Sequence, residues 1–179
     1  MSASELIIRP AEPADLPAVL ALYRELDAED ALDVAEARAI FERMARYPDY
    51  TLHVGEADGT VLGTFTLLVM DNMAHRGARS AVIEAVAVAA AAQGRGIGRA
   101  MMDAALAMAR EKGCYKASLS TRMSREGAHA FYESLGFERH GYSYVTEPGR
   151  DVGARQRVVM PGQDGGPGGP SGPDVAERV

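Results

Sequence analysis

Residues 82–101 hold the segment that most constrains the fold: an apolar strand, a short alanine run, a glycine-rich turn and an amphipathic helix, in that order. Val82 to Val88 is apolar apart from Glu84, and the turn reads Gln93-Gly94-Arg95-Gly96-Ile97-Gly98. Beyond it Ile97, Met101, Ala104 and Met108 recur at helical spacing, which predicts a helix from Ile97 to Lys112 that Gly113 stops. Glycines let the backbone turn tightly and approach a ligand. The first amides of the following helix lack internal partners, and its dipole favours negative charge there. Arg95 and Arg99 add cationic side chains at the same end. The layout suits a phosphate, although a tight strand-to-helix turn needs the same glycines. Two nucleotide-binding patterns do not fit. The P-loop ends in Gly-Lys-Ser/Thr, which is absent. The dinucleotide fingerprint needs a third glycine where this chain has Met101, and an acid after a second strand, which Tyr115 to Ser120 lacks.

The rest of the chain supplies a mixed order of elements. Leu6 to Ile8 reads as a first strand stopped near Pro10, and Asp15 as the cap of a helix with Pro17 in its first turn, running to about Leu26. A second helix is expected from Val34 to Arg46, before Pro48. Thr51 to Glu56 and Val61 to Met70 are strand-like, with Asp58-Gly59 as a hairpin signal. Asp71 to Arg79 is loop-like and Ala81 to Val88 returns to strand. After the strand Tyr115 to Ser120, a helix runs from Ser124 or Arg125 to Leu135, closed by Gly136. Phe137 to Thr146 and Arg155 to Met160 read as two last strands.

With 179 residues, 47% of them hydrophobic, the chain suits one domain over residues 1–160. The segment 161–179 is rich in Gly and Pro and is expected to stay flexible, because it buries too little apolar surface to offset ordering. No apolar run approaches the ~20 residues of a membrane span. Met1 to Glu5 lacks the basic start and apolar stretch of a signal peptide. The single cysteine, Cys114, allows no internal disulfide or multi-cysteine zinc site and reads as a structural thiol. A cytoplasmic setting follows as the expectation. The net charge of −6 argues against a nucleic-acid binder and is compatible with cationic substrates. The four histidines and the acids show no metal-ligand spacing, so no metal is expected.

The turn, on its strand, resembles the Gln/Arg-x-x-Gly-x-Gly/Ala motif of the Gcn5-related N-acetyltransferases (GNAT family). A second block, Ala128-His129-Ala130-Phe131-Tyr132-Glu133-Ser134-Leu135-Gly136-Phe137, is similar to a Phe-Tyr-x-x-x-Gly-Phe core typical of that family. The resemblance covers roughly residues 5 to 160. It implies an α/β (α+β) fold with a mixed, mostly antiparallel central sheet of about six to seven strands. Helices cover both faces, and two parallel strands, Ala81 to Val88 and Tyr115 to Ser120, splay apart in the middle. It implies acetyl-CoA as the donor substrate, with backbone around Val86, Ala87 and Val88 along the pantetheine arm and acetyl carbonyl. Gln93, Gly94, Arg95, Gly96, Ile97, Gly98 and Arg99 would hold the pyrophosphate. The implied reaction is direct attack on the thioester by a primary amine of a small molecule or peptide; a non-catalytic acyl-CoA-binding module is the rival. Homodimers are common in the family.

That reaction sets demands on side chains. An alkyl amine with a pKa near ~10 must lose a proton before it attacks. The attack builds an oxyanion that a backbone N–H can stabilise, and a thiolate leaves. Tyr132 matches the family tyrosine near the leaving sulfur and is the acid candidate. Glu84 is the base candidate: strict alternation puts it on the face of Val86 and Val88, poorly solvated and so inclined to take up a proton. A structural ion pair with Arg79 or Arg99 is its alternative role, and a water chain could replace a dedicated base. His75 is a weak substrate-contact candidate; His129 reads as a partly exposed helix residue, and His53 and His140 as strand residues. Arg125 stands where many family members carry an asparagine that contacts the cofactor arm. Asp27, Glu29, Asp30 and Asp33 could attract a polyamine, an aminoglycoside or a lysine-like amine, or form a solvated surface.

Overall fold

A computed structural model describes residues 5–29, 32–146 and 148. Those up to Arg139 form one compact unit, and those from His140 on are described separately. The sheet has five strands in chain order: β1 (Ile7–Pro10), β2 (Tyr50–Ala57), β3 (Thr60–Met70), β4 (Arg79–Val88) and β5 (Cys114–Ser118). The first four pair antiparallel, and β5 runs parallel to β4. The β2–β3 hairpin turns at Asp58 and Gly59, with φ of 50° and 72°, the doubly positive turn that this dipeptide favours. The mixed sheet bears out the expected fold class, with fewer strands among the described residues than expected. Phe137 to Thr146 does not form a strand. Its Tyr, Val and Thr residues have strand propensity, but propensity needs a ladder and a packed face, and Tyr142, Tyr144 and Val145 are exposed. Arg155 to Met160 lies outside the described residues.

Helices cover both faces, as expected. On one side α1 (Leu16–Leu26) and α2 (Val34–Met44) close a cluster of Leu16, Val19, Leu52 and Val54, with Phe41 and Met44 packed on it. On the other, α3 (Ile97–Glu111) drops Met101, Met102 and Ala105, all fully buried, onto Phe65, Leu67 and Ile83. α4 (Glu126–Ser134) adds Phe131 and Tyr132 to that cluster. Close approach of α3 to the sheet depends on Gly63, where a Cβ would stand 2.5 Å from Met101 Sδ and 3.0 Å from the Ala87 carbonyl oxygen.

Two acids expected near the helices have other duties. Asp15 does not cap α1 through its side chain; its carboxylate accepts from Arg9 at 2.7 and 2.9 Å and from the Glu12 amide at 2.7 Å. Asp33 caps α2, accepting from the Glu36 amide at 2.8 Å. A third, Asp49, takes Arg79 at 2.9 Å and Lys112 at 2.5 Å, fastening the start of β4 to the end of α3.

Candidate active site

The two parallel strands stay together only briefly. β4 and β5 pair from Arg79–Cys114 to Val82–Ser118, and Ile83 to Val88 then runs on with no partner on that side among the described residues. This is the expected parting of strands. It leaves main-chain groups of a sheet interior open to a ligand. Between the strands lies a cleft of about 270 Å³ lined by Ile83, Glu84, Ala85 and Val86 from β4, Leu119 to Arg122 and Arg125 from the loop after β5, and Tyr132 from α4. Leu26 and Asp27, at the end of α1, close the rim.

β4 contains a feature that alternation did not foresee. Two steps on β3, Thr64 to Thr66, face three on β4, Glu84 to Ala87, and Ala85 within that bulge has φ +50°. A bulge shifts the alternation by one residue. Glu84 and Ala87 therefore share a face, opposite Thr66 and Thr64, while Val86 and Val88 pack on the α3 cluster. The expectation that Glu84 lies on the face of Val86 and Val88 is corrected here. Glu84 is also exposed, so the poor solvation expected of a carboxylate on an apolar strand does not hold. The ion pair with Arg79 or Arg99, its alternative role, is absent: Arg79 holds Asp49 and Asp71, and Arg99 reaches Ser134.

The glycine turn begins where the free part of β4 ends. The Ala90 amide donates to Glu25 Oε2 at 2.8 Å, anchoring the strand exit to α1, and Gln93 Nε2–H donates to the Val88 carbonyl at 3.3 Å. Gly94 and Gly96 have φ of 74° and 83°, which L side chains rarely adopt, and a Cβ on either would meet open space. Gly96 precedes α3 directly, and the first bond returning to it comes from the Ala100 amide at 3.0 Å. The amides before Ala100 thus stand at a positive helix end without an intrahelical acceptor. Arg95 and Arg99 are exposed beside them. Gly98 answers a different need: its Cβ would lie 3.2 Å from Phe131 Cζ, so it lets α4 approach α3.

Tyr132 is half-buried, with Phe131 and Phe137 rings 5.2 and 5.8 Å away. Burial pushes its hydroxyl above the ordinary tyrosine range, with Arg125 pulling weakly the other way. It remains a protonated O–H donor at neutral pH. His75 stands apart: it tilts against Tyr115, ring centroids 4.8 Å apart, and does not line the cleft. His129 Nε2–H donates to the Arg122 carbonyl at 3.0 Å. His53 is buried in β2, stacked on Phe65 at 4.9 Å, and burial lowers its pKa. Of the acids proposed to draw cations, Asp27 alone among the described ones lines the cleft; Asp30 lies outside the described residues. Ser120, Thr121 and Arg122 also line the cleft and were not expected there, because a loop after a strand carries no periodic signal. Among the described residues no group of three or more His, Cys, Asp or Glu could hold a metal, and no helix is long and apolar enough to cross a membrane.

The sequence profile of the acetyltransferase (GNAT) family matches residues 16–137, which run from the first residue of α1 to just past α4. The chain belongs to the Gcn5-related N-acetyltransferase family. As such it is an enzyme of the acyltransferase class. Among its GNAT relatives, glucosamine 6-phosphate N-acetyltransferase of Trypanosoma brucei brucei is 30% identical over 137 residues, spanning 76% of this chain and 91% of that protein. An L-methionine sulfoximine/L-methionine sulfone acetyltransferase of Pseudomonas aeruginosa is 30% identical over 148 residues, 79% of this chain and 83% of that one. A solved structure from Agrobacterium tumefaciens, named as a candidate acetyltransferase, has TM-score 0.75 and 36% identity, covering 79% of this chain and 99% of its own.

Proposed function

We propose that this enzyme transfers an acetyl group from acetyl-CoA to a primary amine of a small molecule or peptide by direct attack. The observation that carries the reading is the continuous open path along one edge: the free stretch of β4, then the positive-φ glycines, then the outward amides of α3. A thioester on a long arm that ends in a pyrophosphate fits that order of features. Backbone around Val86, Ala87 and Val88 lies along the arm and thioester carbonyl, and Gln93 to Arg99 binds the pyrophosphate. The named substrates of the two relatives above are small amines, which supports an amine acceptor.

In the transfer the neutral amine nitrogen forms a C–N bond to the acetyl carbon and the C–S bond breaks. The Tyr132 O–H gives its proton to the departing sulfur and is reprotonated through water, which the proton lost by the nitrogen balances. The proton shed by the nitrogen leaves toward Glu84, which is exposed and so exchanges through water with the nitrogen. The deciding measurement is thiol release from acetyl-CoA across a panel of primary amines. Steady release with at least one amine, above the amine-free rate, is expected; CoA binding without release on any amine overturns the reading. Failure of CoA to raise the melting temperature at millimolar concentration would remove even the donor site.

A further inference from the structure

The cleft is divided by charge. Glu84 lines it from β4, Arg122 and Arg125 line it from the loop after β5, and Asp27 lines it from the end of α1. Arg125 makes no ion pair among the described residues, and Arg122 reaches Asp27 Oδ2 only at 4.0 Å, between side chains 81% and 49% exposed. A pair so long and so exposed contributes little. Among the described residues, neither arginine has a strong ionic partner. Their backbone is fixed all the same: the Arg122 carbonyl accepts from the Arg125 amide and from His129 Nε2–H, each at 3.0 Å. Beside them the Thr121 hydroxyl is buried and lacks a hydrogen-bond partner among the described residues. A buried polar group left open in this way needs something else to complete it.

A polycation would call for a surplus of carboxylates. The cleft instead has its cations in a pair on one wall, matched by carboxylates elsewhere. We infer that the acceptor amine also carries an anion, a carboxylate or a phosphate, which Arg122 and Arg125 bind while its nitrogen faces Glu84 and Tyr132. The inference rests on the acyl-transfer reading above. Arginine presents a planar fork of donors that suits both anions, so the geometry names their shared chemistry. The coenzyme's own pyrophosphate has a separate place at the glycine turn, at the other end of the free stretch of β4.

Matched amine pairs test this: L-methionine against L-methioninamide, and glucosamine 6-phosphate against glucosamine. In at least one pair the anionic member is expected to have a kcat/KM higher by about tenfold or more, and the pair that shows it identifies the anion. In the R122Q/R125Q double variant that preference is expected to collapse toward one, while the KM for acetyl-CoA changes by less than about twofold. Equal rates within both pairs, or preference for the uncharged or a polycationic amine, overturn the inference. So does a variant that raises the KM for acetyl-CoA and keeps the preference, because the arginines then serve the coenzyme. Melting of the CoA-loaded protein separates this inference from the reaction itself. Stabilisation by the anionic amine but not its neutral partner, without thiol release, keeps the anion site and removes acyl transfer; no differential stabilisation and no preference removes the anion site.

Discussion

Tyr132 packs on the core and borders the cleft with a single ring. Its carbon face packs with Phe131 and Phe137, and its hydroxyl borders the cleft. Burial raises its pKa, so protonation favours the folded state: that contribution is complete below the ordinary tyrosine range near ~10 and is lost as pH climbs through the higher folded value. The same direction bears on the proposed chemistry, since the group can act as an acid only while protonated. Tyr132→Phe is expected to lower kcat about tenfold or more with acetyl-CoA affinity little changed. In the parent enzyme the alkaline loss of kcat due to this group should fall above pH ~10, and the Phe variant should lack it. A kcat within about twofold of the parent, a difference worth only ~0.4 kcal/mol, rules Tyr132 out as the acid. Its position was legible from the Phe-Tyr block. The place of Arg122 at the cleft was not, since it comes from where a loop lies in the fold.

At the scale of elements, the strand–turn–helix unit was readable because each part leaves its own mark. Apolar run, glycines and a 3.6-residue period agree with one another over Val82 to Glu111. The bulge was hidden: Ala85 has φ +50° without being a residue that signals it, and only the mismatch with Thr64 to Thr66 reveals it. Asp15 takes the N-cap position of α1 as expected, but its side chain is drawn to Arg9 on another element. Close packing between elements gives the sharpest stability test. Gly63→Ala would push a methyl against the fully buried Met101 and the Ala87 carbonyl. A loss of about 1–3 kcal/mol is expected, read as a lower melting temperature; an unchanged melt would mean that α3 can move off the sheet freely.

For the molecule as a whole, two carboxylates fasten distant parts. Asp15 is held below the usual carboxylate range by hydrogen bonds from Arg9, and Asp49 by Lys112 first and Arg79 after it. A lowered folded pKa contributes stability above the ordinary value near ~3.9, and that contribution is lost as pH falls through the folded value. The melting temperature is therefore expected to hold from neutral pH to about 5 and to decline below about 4. Asp15→Asn should cost about 1–2 kcal/mol at neutral pH, allowing for the partly exposed Arg9, and should flatten the acid decline; a variant with the parent's acid slope would contradict this. The five described strands and both helical layers follow from patterns in the chain, whereas ion pairs between residues this far apart are displayed by no local pattern.

The bulge at Ala85 gives one strand two addresses. Glu84, before it, lies on the face away from the α3 cluster and lines the cleft with Leu26 and Asp27 at the end of α1; Val86 and Val88, after it, pack on the α3 cluster. In an unbroken strand those positions would share a side, and a change at one would be felt at the other. One extra residue separates them by half a turn. The two faces of β4 can then be altered separately along seven neighbouring residues, Val82 to Val88, with a single alanine as the divide.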